Sequence, residues 1–299
     1  RPAVPYSMFS GWDEYHLINK ELAELVRSLP DSPLGEIISY VLSSPGKRVR
    51  PLILLFSAQA LGGSASRAVN AALAIELVHA ASLVHDDILD QGVERRGAQS
   101  VVERFGPEAA LLAGDWLISR SIELISHYSQ PVISAFSSAC MDMSEGELMD
   151  LSIASSPDDY YQCIFKKTAT LFSASAKMGG LIAGASLQDV ARLESYGMHL
   201  GLGYQVLDDL EEFLGLDQGK SSKKTSVTLP RIYSSNCADD APDAPRLMCI
   251  KVIEEHSIAA RKALLATSGC DDMKSRLESI VDEMTHRGLQ RCRLQKSLC

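Results

Sequence analysis

Apolar residues recur at helical spacing along most of this chain. Between residues 12 and 29, Leu17, Ile18, Leu22, Leu25 and Val26 share one face and charged residues the other, which predicts a peripheral amphipathic helix. Asp31-Ser32-Pro33 caps a second helix running to about Leu42, and Ser43-Ser44-Pro45-Gly46 turns the chain. Pro51 fits the first turn of a third, apolar helix. From Ser64 or Ser66 to near Gly92 the pattern is apolar almost throughout, predicting a buried central helix roughly 40 Å long at 1.5 Å per residue. Further helices are expected over 107–127, 131–154, 158–184, 187–214, 246–266 and 271–288, with breaks at Ser129-Gln130-Pro131 and Ser155-Ser156-Pro157. Residues 217–227 and 235–245 read as exposed polar connections, and the tail from Arg291 as frayed. No alternating run reads as a sheet, and there is neither an internal repeat nor a linker, so the chain is expected to be all-α and a single domain over 1–299.

The polar residues that interrupt these apolar faces carry the candidate chemistry. The long helix closes on Asp86, Asp87 and Asp90, and buried carboxylates are costly unless cations or hydrogen-bond donors compensate them. Asp86 and Asp90 are four apart and share a face, a spacing suited to gripping a hard cation, while Asp87 points a quarter-turn away. His79 and Ser82 extend the same stripe. A second cluster, Asp208-Asp209-Leu210-Glu211-Glu212, repeats the four-residue spacing between Asp208 and Glu212, and two facing clusters could hold a magnesium-bound diphosphate between them. Lys47, Arg48 and Arg50 on a Gly46-introduced turn read either as a phosphate cradle or as a solvated basic turn. Arg95 and Arg96 follow the first acidic cluster, where a guanidinium can grip phosphate with two parallel bonds. Lys166 and Lys167 interrupt an apolar helix, either to reach a ligand or to snorkel. Asp239-Asp240-Ala241-Pro242-Asp243 repeats the first acidic pattern literally, but its proline and polar surroundings preclude a regular helical face. Asp158-Asp159 and Asp271-Asp272 read as helix-start acids.

Composition narrows the partners. Of 299 residues 46% are hydrophobic, ample for a large core, and a formal net charge of -9 argues against nucleic acid as the main partner. An anionic ligand must therefore be met by local cations and metal ions. The seven cysteines are odd in number and include no CxxC pair, so reduced thiols in a cytoplasm are expected. The first residues lack a signal-peptide pattern. The most apolar run, 68–85, is interrupted by Glu76 and His79, and no transmembrane segment is expected.

Taken in order, Gly46-Lys47-Arg48-Val49-Arg50-Pro51, His79, Asp86-Asp87-Ile88-Leu89-Asp90, Arg95-Arg96-Gly97, Lys167-Thr168 and Gln205 with Asp208-Asp209 resemble the motifs of the trans-isoprenyl diphosphate synthases, the polyprenyl synthetase family. The resemblance covers roughly residues 33 to 235. It implies the isoprenoid synthase fold, all-α with helices around a deep central cavity, usually as a homodimer. It also implies condensation of an allylic diphosphate (geranyl, farnesyl or geranylgeranyl) with isopentenyl diphosphate. On this resemblance Asp86 and Asp90 are ligands of two Mg2+ ions and Asp208 of a third, with Glu212 standing where the family usually has Asp. Arg95, Lys167, Thr168, Gln205 and Lys220 then surround the allylic diphosphate, while Lys47, Arg50, His79 and Arg96 hold isopentenyl diphosphate. The loop after Lys220 is shorter than usual, and Lys224 is placed to fill a missing lysine's role. Farnesyl synthases of the family place an aromatic residue just before the first motif, where this chain has the small Ala81 and Ser82, so a product of C20 or longer is expected with a floor deeper along the helix near Val78, Ala74 or Trp116. The competing readings are a non-catalytic subunit of a heteromeric synthase and a terpene cyclase, which needs no second diphosphate site.

Overall fold

Helix follows helix from one end of the chain to the other in the computed structural model, which describes residues 8–95, 97–152, 156–216, 227–236 and 243–294. The fourteen α-helices described are α1 (Asp13–Arg27), α2 (Pro33–Leu42), α3 (Val49–Ala60), α4 (Ala65–Leu89), α5 (Val101–Phe105), α6 (Pro107–Ile125), α7 (Gln130–Asp150), α8 (Pro157–Ile164), α9 (Thr170–Ile182), α10 (Leu187–Phe213), α11 (Leu229–Asn236), α12 (Ala244–Ala266), α13 (Asp271–Val281) and α14 (Arg287–Leu294). The expected all-α class holds. Its one exception among the described residues is a two-residue hairpin, β1 (Glu94–Arg95) against β2 (Ala98–Gln99), turned at Gly97 with φ +76°.

Capping chemistry sets several boundaries. The Ser32, Ser100, Ser156 and Ser186 side chains each accept a backbone N–H from the first turn of the helix that follows, at Gly35, Glu103, Asp159 and Asp189. Asp158-Asp159 and Asp271-Asp272 lie in first turns, as their charge favours. Two expected helices differ from the sequence reading. The segment expected as one helix over 158–184 is divided by a π turn at Phe165–Ala169, and the last helix by another at Asp282–His286.

The central helix is α4, a 25-residue rod packed against α3 and α6, with α1, α5 and α9 completing its surroundings. Ala68, Ala71, Ala72, Ala74, Ile75 and Leu77 on it are wholly buried. Small side chains let its neighbours approach closely. It is long and apolar enough to cross a bilayer, yet 61% of its most apolar stretch is buried within the bundle. A second apolar cluster, built by Val206, Leu210, Leu229, Cys249, Ile253 and Cys292, joins α10 to α11, α12 and α14.

Candidate active site

The polar stripe foreseen on α4 is real. His79, Ser82, Asp86 and Asp90 are half-buried along it, whereas Asp87 turns inward and is only 5% exposed. The Ser82 hydroxyl donates to the His79 carbonyl at 2.8 Å. The end of the helix closes tightly: the Asp90 N–H reaches the Asp86 carbonyl at 2.8 Å and the Gly92 N–H the Asp87 carbonyl at 2.9 Å. A Cβ on Gly92 would lie 2.6 Å from the Asp87 carboxylate, so the chain can pass here only without a side chain. Carboxylates at a helix C-terminus oppose the helix dipole, which makes this a place where an added cation is welcome. The expectations for Ala81 and Val78 acquire a position: both are buried within the core, and Ser82 is the member of the set on the polar stripe.

The basic turn divides its three cations. Arg48 adopts a left-handed backbone with φ 56° and points into the core, where its Nη1 lies 2.6 Å from Glu76 Oε1. Its Nε donates to Asn19 Oδ1 at 3.2 Å and its Nη2 to the Ser44 carbonyl at 2.9 Å. Arg50 points the other way. Its Nη1 donates to His79 Nε2 at 3.1 Å, and its guanidinium stacks 4.2 Å above the Phe172 ring. Because arginine only donates, Nε2 accepts and the neutral ring carries its proton on Nδ1. Lys47 stays accessible and pairs with Glu283 at 3.5 Å. Arg48 is thus a structural clamp, while Arg50, His79 and Lys47 form the accessible basic group.

The π turn between α8 and α9 links the two acidic motifs. Within it the consecutive Lys166 and Lys167 both reach α7. Lys166 pairs with Glu145 and with Asp142. Lys167 Nζ lies 2.8 Å from Asp150 Oδ2 and 2.9 Å from Glu147 Oε2. Burial works against the Lys167 ammonium, but Asp150, Glu147 and Asp86 together hold it well above the ordinary lysine value. Thr168 then donates to Gln205 Oε1 at 2.8 Å, and Gln205 donates to Asp209 Oδ1 at 3.0 Å. Tyr160 closes the chain with a 2.6 Å bond to Asp209 Oδ2. Asp209 is buried, and its carboxyl is pushed up to about 7 by that burial, with Asp208 and Glu212 adding to it against the bonds from Tyr160 and Gln205. Asp208 is half-buried and Glu212 exposed.

The fold therefore gathers Asp86, Lys167, Thr168, Gln205 and Asp209 into one connected region, and Arg50 and His79 into another. Arg95 enters through its backbone in β1. Arg96, Lys220, Lys224 and the literal repeat at 239–242 lie outside the described residues. Four contributors went unnoticed in the sequence. Glu147, Asp150 and Tyr160 gave no local signal, because their partners Lys167 and Asp209 are brought to them by packing between helices. Glu76 did give one, as the lone acid in an apolar run.

Among the described residues no three carboxylate, imidazole or thiolate groups converge to cage a metal by themselves. Magnesium bound with a phosphorylated substrate needs only one or two carboxylates, the rest of its shell being phosphate oxygens and water. Asp86, Asp90 and Asp208, half-buried on helix faces, fit that donor set.

A polyprenyl synthetase family model matches residues 31–263. A geranylfarnesyl diphosphate synthase from Methanosarcina mazei is 42% identical over 92% of each chain. A geranylgeranyl diphosphate synthase from the same organism is 33% identical over 71% of this chain and 70% of its own. Among solved structures, a geranyltranstransferase from Methanosarcina mazei superposes with a TM-score of 0.81 at 40% identity, covering 93% of this chain and 98% of that one.

Proposed function

We infer, since the chain belongs to the polyprenyl synthetase family, that it is a trans-prenyltransferase condensing an allylic diphosphate with isopentenyl diphosphate to a product of C20 or longer. The observation that carries the reading is the π turn, which sets Lys167 within the field of Asp86 and joins Thr168 through Gln205 to the second acidic motif. Asp86, Asp90 and Asp208 would hold magnesium, which supplies positive charge to the allylic diphosphate when bound. As the allylic C–O bond breaks, its electron pair passes to the diphosphate oxygen, and the fixed ammonium of Lys167 stabilises the growing negative charge. Arg50, preset by Phe172 and His79, holds the second diphosphate together with Lys47. The isopentenyl alkene attacks the allylic cation, a C–C bond forms, and the proton leaves to an oxygen of the departed diphosphate. No side-chain base is required.

The absence of bulk at Ala81 and Ser82 supports a long product, and C25 is the first expectation because the relative matched over 92% of each chain is a geranylfarnesyl synthase. The same reading makes the protein a homodimer. Leu111, Leu112 and Ile122 on α6 and Met141 and Leu148 on α7 are at least half exposed, an apolar surface suited to a second copy. It also places the chain in the cytoplasm, where the thiols of Cys140, Cys163, Cys249, Cys270 and Cys292 stay reduced.

The test is chromatographic sizing of products made by the purified chain with magnesium, excess isopentenyl diphosphate and geranyl, farnesyl or geranylgeranyl primer. C25 with C20 is expected. Only C10 or C15 would overturn the chain-length reading, and no turnover at all would favour a non-catalytic subunit.

A further inference from the structure

Resting on that functional reading, we propose that Glu147 and Asp150 are positioning residues that fix the Lys167 ammonium for the leaving diphosphate. An ammonium has three N–H donors in a tetrahedral array, and in a flexible side chain they point wherever rotation takes them. Here two are directed by acceptors on a different helix: Asp150 Oδ2 at 2.8 Å and Glu147 Oε1 at 3.1 Å. Both acids lie in the last turn of α7, their side chains no more than 19% exposed, so the anchors are themselves held. With two directions taken, the tetrahedral geometry sets the third.

Local architecture is built around this contact. Gly146 lies beside Glu147 at the point where α7 crosses the π turn, and a Cβ there would come 2.2 Å from the Lys167 backbone nitrogen. Only glycine lets the two backbones meet this closely. The Cys163 thiol, at 3.6 Å, donates to the Gly146 carbonyl and closes the same crossing. On the other side of Lys167, Thr168 is tied to Gln205. The lysine backbone is therefore fixed from two neighbouring helices, and the acid pair extends that fixity to the end of the side chain. The paired acids also place a negative charge beside the diphosphate position, so they serve orientation at some expense of ground-state attraction. A pair that merely compensated charge in the core would gain nothing from such placement.

Orientation and charge predict different kinetic signatures. In Asp150→Asn and Glu147→Gln, shape is nearly retained but the lysine is held by weaker acceptors. Each is expected to lower kcat about 10-fold, a typical loss when a transition-state contact is loosened, while KM for the allylic diphosphate changes less than 3-fold. Asp150→Glu, which restores a carboxylate, is expected to recover part of the loss. Independently of turnover, titration calorimetry with inorganic diphosphate and magnesium should give wild-type affinity within about 3-fold for both variants and a loss of at least 10-fold for Lys167→Ala. Circular dichroism melts identify variants that fail to fold, and for those Asp150→Ser serves as a smaller replacement read by the same assays. If Lys167→Ala loses activity while Glu147→Gln and Asp150→Asn keep wild-type kcat, the positioning role is overturned. Inactivity of the wild-type protein would instead overturn the functional reading itself.

Discussion

Arg48 shows how one residue can belong to a motif and stand outside its chemistry. It lies between Lys47 and Arg50 in sequence, yet its guanidinium is satisfied by Glu76, Asn19 and the Ser44 carbonyl inside the protein. Removing one partner of a buried ion pair strands the other charge, at a cost of about 3–5 kcal/mol. Arg48→Met is accordingly expected to lower the urea midpoint sharply while leaving the KM for isopentenyl diphosphate nearly unchanged in the folded fraction. Arg50→Met should do the reverse, raising that KM at least 10-fold with a small change in stability. The sequence contained half of this distinction. Glu76 stood as a lone acid in an apolar run and called for a buried cation, but nothing local told Arg48 from its neighbours. The left-handed backbone at Arg48, which turns it inward, depends on the packing of α1 and α4 around the loop. A similar limit applies to Asp209: the sequence placed it in the acidic cluster beside Asp208, and its burial and its contacts with Tyr160 and Gln205 appear only in the fold.

At the scale of elements, the apolar period located α1 to α4, α6, α7, α10 and α12 within a few residues because each buries a continuous face. It passed over both π turns. An inserted residue shifts the phase by about 100°, and in a segment buried nearly all round, such as 164–182, no polar face records the shift. The shift matters because it places Thr168 against Gln205. Tyr160→Phe removes one donor from the buried Asp209 and is expected to cost about 1–3 kcal/mol, read as a lower melting temperature. The proposed route for the growing tail runs along α4. Ser82→Phe puts an aromatic ring on the polar stripe one turn before Asp86 and should shift the longest product toward C15, checked by chromatography with geranyl primer and excess isopentenyl diphosphate. Unchanged product length would place the tail along another face of the helix.

For the whole molecule, the contact between α10 and α12 ties stability to pH. His199 and His256 face each other with Nδ1 atoms 3.0 Å apart. Burial lowers both, and His256, further lowered by His199, falls to about 4. The unfolded chain, with ordinary histidines near 6.5, takes up protons first, so the stability this pair contributes is fully present above about 6.5 and is lost as pH drops toward 4. Asp209, whose carboxyl is pushed up to about 7, acts in the opposite sense over the same window, so the histidine contribution is read by difference: the urea midpoint of His256→Gln is expected to rise relative to wild type on going from pH 7 to pH 5.

Residues far apart in sequence meet across the fold. Glu14 of α1, nearly buried, pairs with Arg276 of α13 at 2.9 Å across 262 positions, and Lys47 pairs with Glu283. During synthesis Glu14 therefore stays uncompensated until residue 276 has left the ribosome. Contacts of such sequence separation close slowly. A chain stopped before residue 276 would therefore carry every letter of the motifs yet leave Glu14 buried without the Arg276 guanidinium that compensates it.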